Sequence, residues 1–170
     1  MTVVRILFAG LGLFLSFSGA AEILLTRLSD HAYQLKAANY NTNIALRKTS
    51  KGIVLVDPMP GKDNLDALNH AMRTIAPISS VYVLNTHQHE DHTGGNDYFQ
   101  KIGALLLDST EELTDIKKRD VHSHSRADRI FFHSKSNTIF VGDIYDTDWH
   151  PSFYAGGVAG FVHAVDIICR

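Results

Sequence analysis

An α/β layered domain is the fold class this sequence predicts, on three observations. Apolar runs of strand length alternate along the chain with segments of helical spacing. No internal repeat or low-complexity stretch points instead to a solenoid or a disordered chain. A length of 170 residues, 45% of them hydrophobic and 20% charged, supports one domain with a real core and not two.

The opening segment stands apart from the rest. Arg5 supplies a minimal positive charge, residues 6–17 are apolar except for Gly10, Gly12 and Ser16, and Ser18-Gly19-Ala20 offers small residues where a signal peptidase reads. The apolar run is too short for a bilayer span of about 20 residues, so residues 1–21 read as a removable signal peptide rather than an uncleaved anchor. The domain proper is then residues 22–170. It is exported, to the periplasm, with no stable membrane span once the leader is gone.

Short strands come first. Residues 31–35 alternate weakly and residues 43–47 do so better. Gly52-Ile53-Val54-Leu55-Val56 is a buried-strand pattern closed by Asp57-Pro58. Pro60 and Gly61 mark a loop. Leu65, Leu68, Ala71, Met72 and Ile75 recur at helical spacing, which predicts a helix over 62–76 that Pro77 ends. Residues 81–84 form a second buried strand, running straight into a histidine cluster. Gly94-Gly95-Asn96 makes a turn that carries the backbone away from the cluster. A short helix over 97–102 and an apolar run over 104–107 follow. Residues 108–120 are charged and patternless and read as loop. Residues 130–132 and 138–141 read as strands around a Lys135-Ser136-Asn137 turn, and residues 159–168 as a helix.

Net charge excludes some classes of partner. At −2, with no basic run and no aromatic platform, the chain offers nothing to nucleic acid, and a small-molecule substrate is the expected partner. Oligomeric state is not legible. Cys169 is the only cysteine, which excludes an intramolecular disulfide and a cysteine-based zinc site. It reads as a helix-packing residue.

The chemistry sits in Thr86-His87-Gln88-His89-Glu90-Asp91-His92. In an extended or turning segment, residues two apart point the same way, so His87 and His89 can aim two imidazoles at one ion. Asp91 and His92 follow closely enough to serve a neighbouring second ion. The cluster caps a buried strand, where a rigid sheet can hold loop-borne ligands in place.

Thr-His-x-His-x-Asp-His after a hydrophobic strand resembles the metallo-β-lactamase superfamily. Asn41-Thr42-Asn43, with the strand closing at Asp57, is similar to that family's opening hairpins. His124-Ser125-Arg126-Ala127-Asp128 resembles its third-histidine segment, and Phe140-Val141-Gly142-Asp143 the strand end whose carboxylate bridges two ions. The resemblance implies an αββα four-layer sandwich, two mixed sheets flanked by helices, incomplete at the C-terminus.

It also implies zinc, with His87, His89 and His124 on a tight first ion and Asp91 and His92 on a second, Asp143 lying between them. A metal-bound hydroxide, oriented by Asp91 as catalytic residue, would cleave an ester, thioester, amide or lactam. Two departures from the family stand out. The stretch from His92 to His124 is short, and no Pro-Gly-His-Gly follows to complete the second ion's ligands, which implies a weak second site. A non-catalytic metal-binding remnant and a mononuclear iron oxygenase of the same fold are the alternatives.

Other polar residues stay open. His122 competes with His124 for the first ion, and the spacing to Asp143 favours His124. His150 could replace the absent ligand or be a solvated loop residue. Asp57 is either a support for a metal-ligating histidine or a turn-former, and Asp128 reads as a structural turn carboxylate. His70 and His163 read as surface or packing, His31 and His133 as plain strand residues, and Asp146 and Asp148 as loop solvation.

Overall fold

Six strands form the larger of two sheets in the computed structural model, which describes residues 22–75, 80–147 and 149–170. The leader expected over 1–21, together with Ala76, Pro77 and Asp148, lies outside the described residues. The strands are β1 (Ile23–Arg27), β2 (Ala32–Ala37), β3 (Ile44–Thr49), β4 (Gly52–Val56), β5 (Val81–Leu84) and β6 (Leu105–Leu106), adjacent in that order. The first four are joined antiparallel, while β4–β5 and β5–β6 are parallel. Between β4 and β5 lies α1 (Leu65–Ile75), preceded by a single 3-10 turn, Lys62–Asn64. After β5 come α2 (Glu90–Thr93) and α3 (Asn96–Lys101).

Register explains which face goes where. Tyr33, Leu46, Leu55 and Val83 stand opposite one another across β2 to β5 and pack with Leu68 and Met72 of α1 and Phe99 of α3. Their neighbours Val54, Val56, Tyr82 and Leu84 point the other way, onto Leu113, Ile116 and Phe131. Strands β4 and β5 are therefore covered on both faces, which is why they read as unbroken apolar runs rather than as alternation. Truncating a fully buried core residue such as Leu46 to Ala costs about 2–5 kcal/mol.

The second sheet holds β7 (Ile116–Val121), β8 (Asp128–His133) and β9 (Thr138–Phe140), antiparallel throughout. Its other face packs Val121, Ile130 and Ile144 against Ala164 of α4 (Gly157–Cys169). Helices, sheet, sheet and helix thus stack in four layers, αββα. Among the described residues no helix is long and apolar enough to cross a membrane.

Several expectations need correcting. The second sheet is antiparallel among the described residues, not mixed. The stretch expected as loop over 108–120 contains most of β7, an outer strand whose charged residues face water while only Ile116 and Val121 are buried. Strand β1 was not expected either, because four of its five residues are exposed and show no buried alternation. Cys169 is exposed and packs into no core.

Arg47 is the larger surprise. It ends the third strand's buried run at 0% exposure and, among the described residues, has no carboxylate as a hydrogen-bond partner. It reaches across to the second sheet, where its guanidinium hydrogen-bonds His133 Nδ1 and Ser136 Oγ and lies 3.5 Å from Thr138 Oγ1. Burial pushes its pKa down to about 10. His133, buried beside it, is held below its ordinary value by burial and by the Arg47 charge.

Candidate metal centre

Strand β5 delivers the histidine cluster. Beyond Leu84 the backbone bends through residues 86–88 to His89, which is extended (φ −69°, ψ 149°) and caps α2, so Asp91 and His92 sit in a helical turn. His87 is 1% exposed. Its Nε2 lies 3.0 Å from His89 Nδ1, and His124 Nε2 reaches the same His89 atom at 3.1 Å.

Asp143 stands over both groups. Its Oδ2 is 3.9 Å from His87 Nε2 and 3.6 Å from His124 Nε2, and its Oδ1 is 3.1 Å from His92 Nε2. Asp91 Oδ2 lies 3.6 Å from that same His92 nitrogen. Two donor sets result, each with its ligand atoms within 4.8 Å of one another: His87, His89, His124 and Asp143, and Asp91, His92 and Asp143.

These donors fit a metal ion. Tetrahedral zinc at about 2.0–2.1 Å from each nitrogen holds its nitrogens roughly 3.3 Å apart. The imidazoles converge at nearly that spacing. Neutral imidazoles and carboxylates are also the ligand types that zinc and related divalent ions take.

The comparisons with known proteins agree. The model of the Metallo-beta-lactamase superfamily matches residues 39–133, more than half of the chain. The chain belongs to the metallo-β-lactamase superfamily. It is 27% identical over 121 residues to the Metallo-beta-lactamase type 2 of Elizabethkingia meningoseptica, covering 68% of this chain and 47% of that protein, so it spans about half the length of this curated relative. Among solved structures, DIM-1 metallo-β-lactamase superposes at TM-score 0.67 with 16% identity, covering 85% of this chain and 82% of that one. The enzyme from Pontibacter korlensis gives 0.65 with 18% identity, over 86% and 85%. IND-7 gives 0.67 with 14% identity, over 87% and 84%. At those identities the structures speak for the fold.

Within this metallo-β-lactamase domain, electrostatics separates the histidines. Burial pushes His87 down to about 4, with His92 adding repulsion, so its ring is neutral at pH 7. Burial also opposes a charge on His92, but the Asp143 and Asp57 carboxylates outweigh it and lift the ring to about 10. Asp143 is itself partly buried, which opposes its charge. The bond to His92 and the neighbouring imidazoles win and hold it below the ordinary carboxylate value.

Asp57 touches both Thr86 and His92. It adopts a left-handed backbone (φ 54°), a conformation that is costly outside glycine and that clusters at functional sites. Its Oδ1 accepts the Thr86 amide at 2.8 Å and its Oδ2 the Thr86 hydroxyl at 2.7 Å. Oδ2 also lies 3.1 Å from His92 Nδ1, a charge contact without good hydrogen-bond alignment. Asp128 ties the His124 loop together, accepting the amides of Ser123 and Ser125 and the Ser125 hydroxyl.

Two glycine positions carry the approach of the chain segments. Gly142 (φ +54°) brings Asp143 beside the cluster, and a Cβ there would stand 2.4 Å from Thr86 Oγ1. Gly95 has an ordinary helical backbone, so the turn does not require it. It is needed because a Cβ would lie 1.8 Å from the Pro58 carbonyl oxygen.

The remaining histidines fall outside the centre. His122 is exposed on the strand side of the loop, and His70, His150 and His163 are exposed as well. Among the described residues His150 joins neither donor set, its ring lying against Trp149. Glu90 pairs with Lys62 at 2.9 Å.

Sequence reasoning missed three supports. Thr42 Oγ1 donates to the Asp91 carbonyl at 2.6 Å. Asn85, itself bonded by Asn96 at 2.8 Å, donates to the His92 carbonyl at 3.2 Å. The Ser152 carbonyl lies 3.0 Å from His124 Nδ1. Thr42 lies inside the quoted Asn41-Thr42-Asn43 and Asn85 directly precedes the histidine motif, which is the one signal available; Ser152 has none.

A cleft of about 440 Å³ opens beside the second donor set. Asp57, Asp91, Asp143 and Asp146 line it together with apolar Leu28, Ile139, Phe140 and Val141.

Proposed function

We propose that this chain is a zinc-dependent hydrolase that cleaves an ester, thioester, amide or lactam bond after export. The observation that carries the reading is convergence: imidazole nitrogens from β5's end and from the distant 124 loop meet at 3.0–3.1 Å on one His89 atom, under a carboxylate from a third segment. His87, His89, His124 and Asp143 would hold a first ion, and Asp91, His92 and Asp143 a second, weaker one. A divalent ion held by these residues would supply an activated water as nucleophile and a positive charge for the scissile carbonyl.

The chain's own residues supply the rest. Asp91, exposed in the first turn of α2, lines the cleft and would accept a hydrogen bond from the attacking water, orienting it. The Ser152 carbonyl, accepting a hydrogen bond from Nδ1–H of His124, fixes the tautomer that leaves Nε2 free to ligate. Asp57, by its charge beside Nδ1, favours keeping the proton on that nitrogen of His92, so Nε2 is the atom that would give up its proton to an ion. Buried His87, neutral at pH 7, needs no deprotonation before it binds an ion.

The test is metal analysis of the purified protein combined with turnover of a chromogenic lactam and a thioester. One tightly held zinc, a second at higher concentration, and hydrolysis that a chelator stops support the reading. One iron per chain points to an oxygenase. Zinc bound without turnover of any ester, thioester or lactam points to a non-catalytic remnant.

A further inference from the structure

The loop carrying His124 is gripped from two sides, and only one of them is Asp128. On the other side the chain enters α4 directly against the His122–Ser123 peptide. The Gly156 amide donates to the Ser123 carbonyl at 2.8 Å, and the Gly160 amide to the Gly156 carbonyl at 3.0 Å. A Cβ at Gly156 would stand 2.1 Å from the His122 carbonyl oxygen and 2.9 Å from Ser123 Cα. A Cβ at Gly160 would stand 2.2 Å from that same oxygen.

Backbone conformation does not demand glycine at either place. Gly156 has φ −90° and ψ −10°, and Gly160 lies inside the helix, where glycine costs about 1 kcal/mol relative to alanine. Only the close approach accounts for them. Helix α4 therefore rests its first turn on the backbone immediately before a candidate metal ligand. The segment leading into it provides the Ser152 carbonyl that meets the His124 ring, and Tyr154, whose ring centroid is 6.1 Å from that ring.

We propose that Gly156 and Gly160 are positioning residues for metal binding: they let α4 dock on His122–Ser123 and so aim His124 Nε2 at the first ion. The inference rests on the metal reading above. A β-carbon at either position must lift α4 or the loop by about 1 Å to reach ordinary contact, and a ligand-supporting defect of that kind costs about 10–100-fold in metal affinity.

The experiment compares Gly156→Ala and Gly160→Ala with wild type and with Val158→Ala, an exposed position on the same helix. Cobalt and zinc affinities are read by chelator competition, the cobalt absorption spectrum reports ligand geometry, and circular dichroism reports folding. Folded glycine variants should bind the first ion at least tenfold more weakly with an altered spectrum, while Val158→Ala matches wild type. Wild-type affinity and spectrum in folded Gly160→Ala overturn the inference.

Should both variants fail to fold, amide exchange in the wild type decides. Zinc must slow exchange at Gly156, and an unchanged rate overturns the proposal. Wild type that binds no metal at all instead overturns the metal reading, a separate outcome.

Discussion

Asp57 Oδ2 stands 3.1 Å from Nδ1 of His92, both residues buried. The same carboxylate holds Thr86, the residue before the first metal-facing histidine. One side chain at the end of β4 thus supports the ends of both donor sets. Asp57→Asn keeps the shape and removes the charge. It should weaken the second ion about 10–100-fold and the first much less. Stepwise zinc titration against a chelator checks this, and equal loss at both ions would contradict it.

Replacing His89 with Ala removes the ring nitrogen on which His87 and His124 converge. Metal uptake and hydrolysis should disappear together. His163→Ala, on the exposed side of α4, should change neither. Activity retained in the His89 variant counts against the whole centre.

Gly142→Ala places a Cβ 2.4 Å from Thr86 Oγ1 on a left-handed backbone. Strain of this kind costs about 1–3 kcal/mol, which lowers Tm by on the order of 5 °C in a domain of this size. Because Asp143 follows directly, uptake of both ions should fall as well. Calorimetry of the metal-free and zinc-loaded protein separates the two effects.

The Arg47–His133 contact makes a pH prediction. His133 titrates lower in the folded chain than in the unfolded one, through burial and the Arg47 charge, with Lys135 and His31 adding repulsion and Asp115 opposing it. The unfolded chain therefore binds the extra proton first, and stability falls as pH drops below about 6.5. His133→Asn removes that titration. Urea unfolding between pH 7.5 and 5 should show a shallower loss in the variant. Parallel slopes would refute the assignment.

What the sequence revealed followed distance along the chain. His87, His89, Asp91 and His92 lie within six residues, so their spacing was readable directly, and β4 and β5 announced themselves by being apolar on both faces. Strand β7 did not, because its partners lie on one edge and its side chains mostly meet water. The grip of Ser152 on His124 and of Thr42 on Asp91 joins segments 28 and 49 residues apart, with no local pattern to betray it. Burial of Arg47 has no local signal for the same reason, since only the arrival of the second sheet covers it.

Asp143 turns one oxygen toward His92 and the other toward His87 and His124. Two cations gripped through a common anion are not independent guests. Filling either seat alters the grip on the other by the same factor in both directions, as thermodynamic reciprocity requires. Occupancy would then rise along a curve whose departure from two simple saturations measures how tightly this one carboxylate couples them.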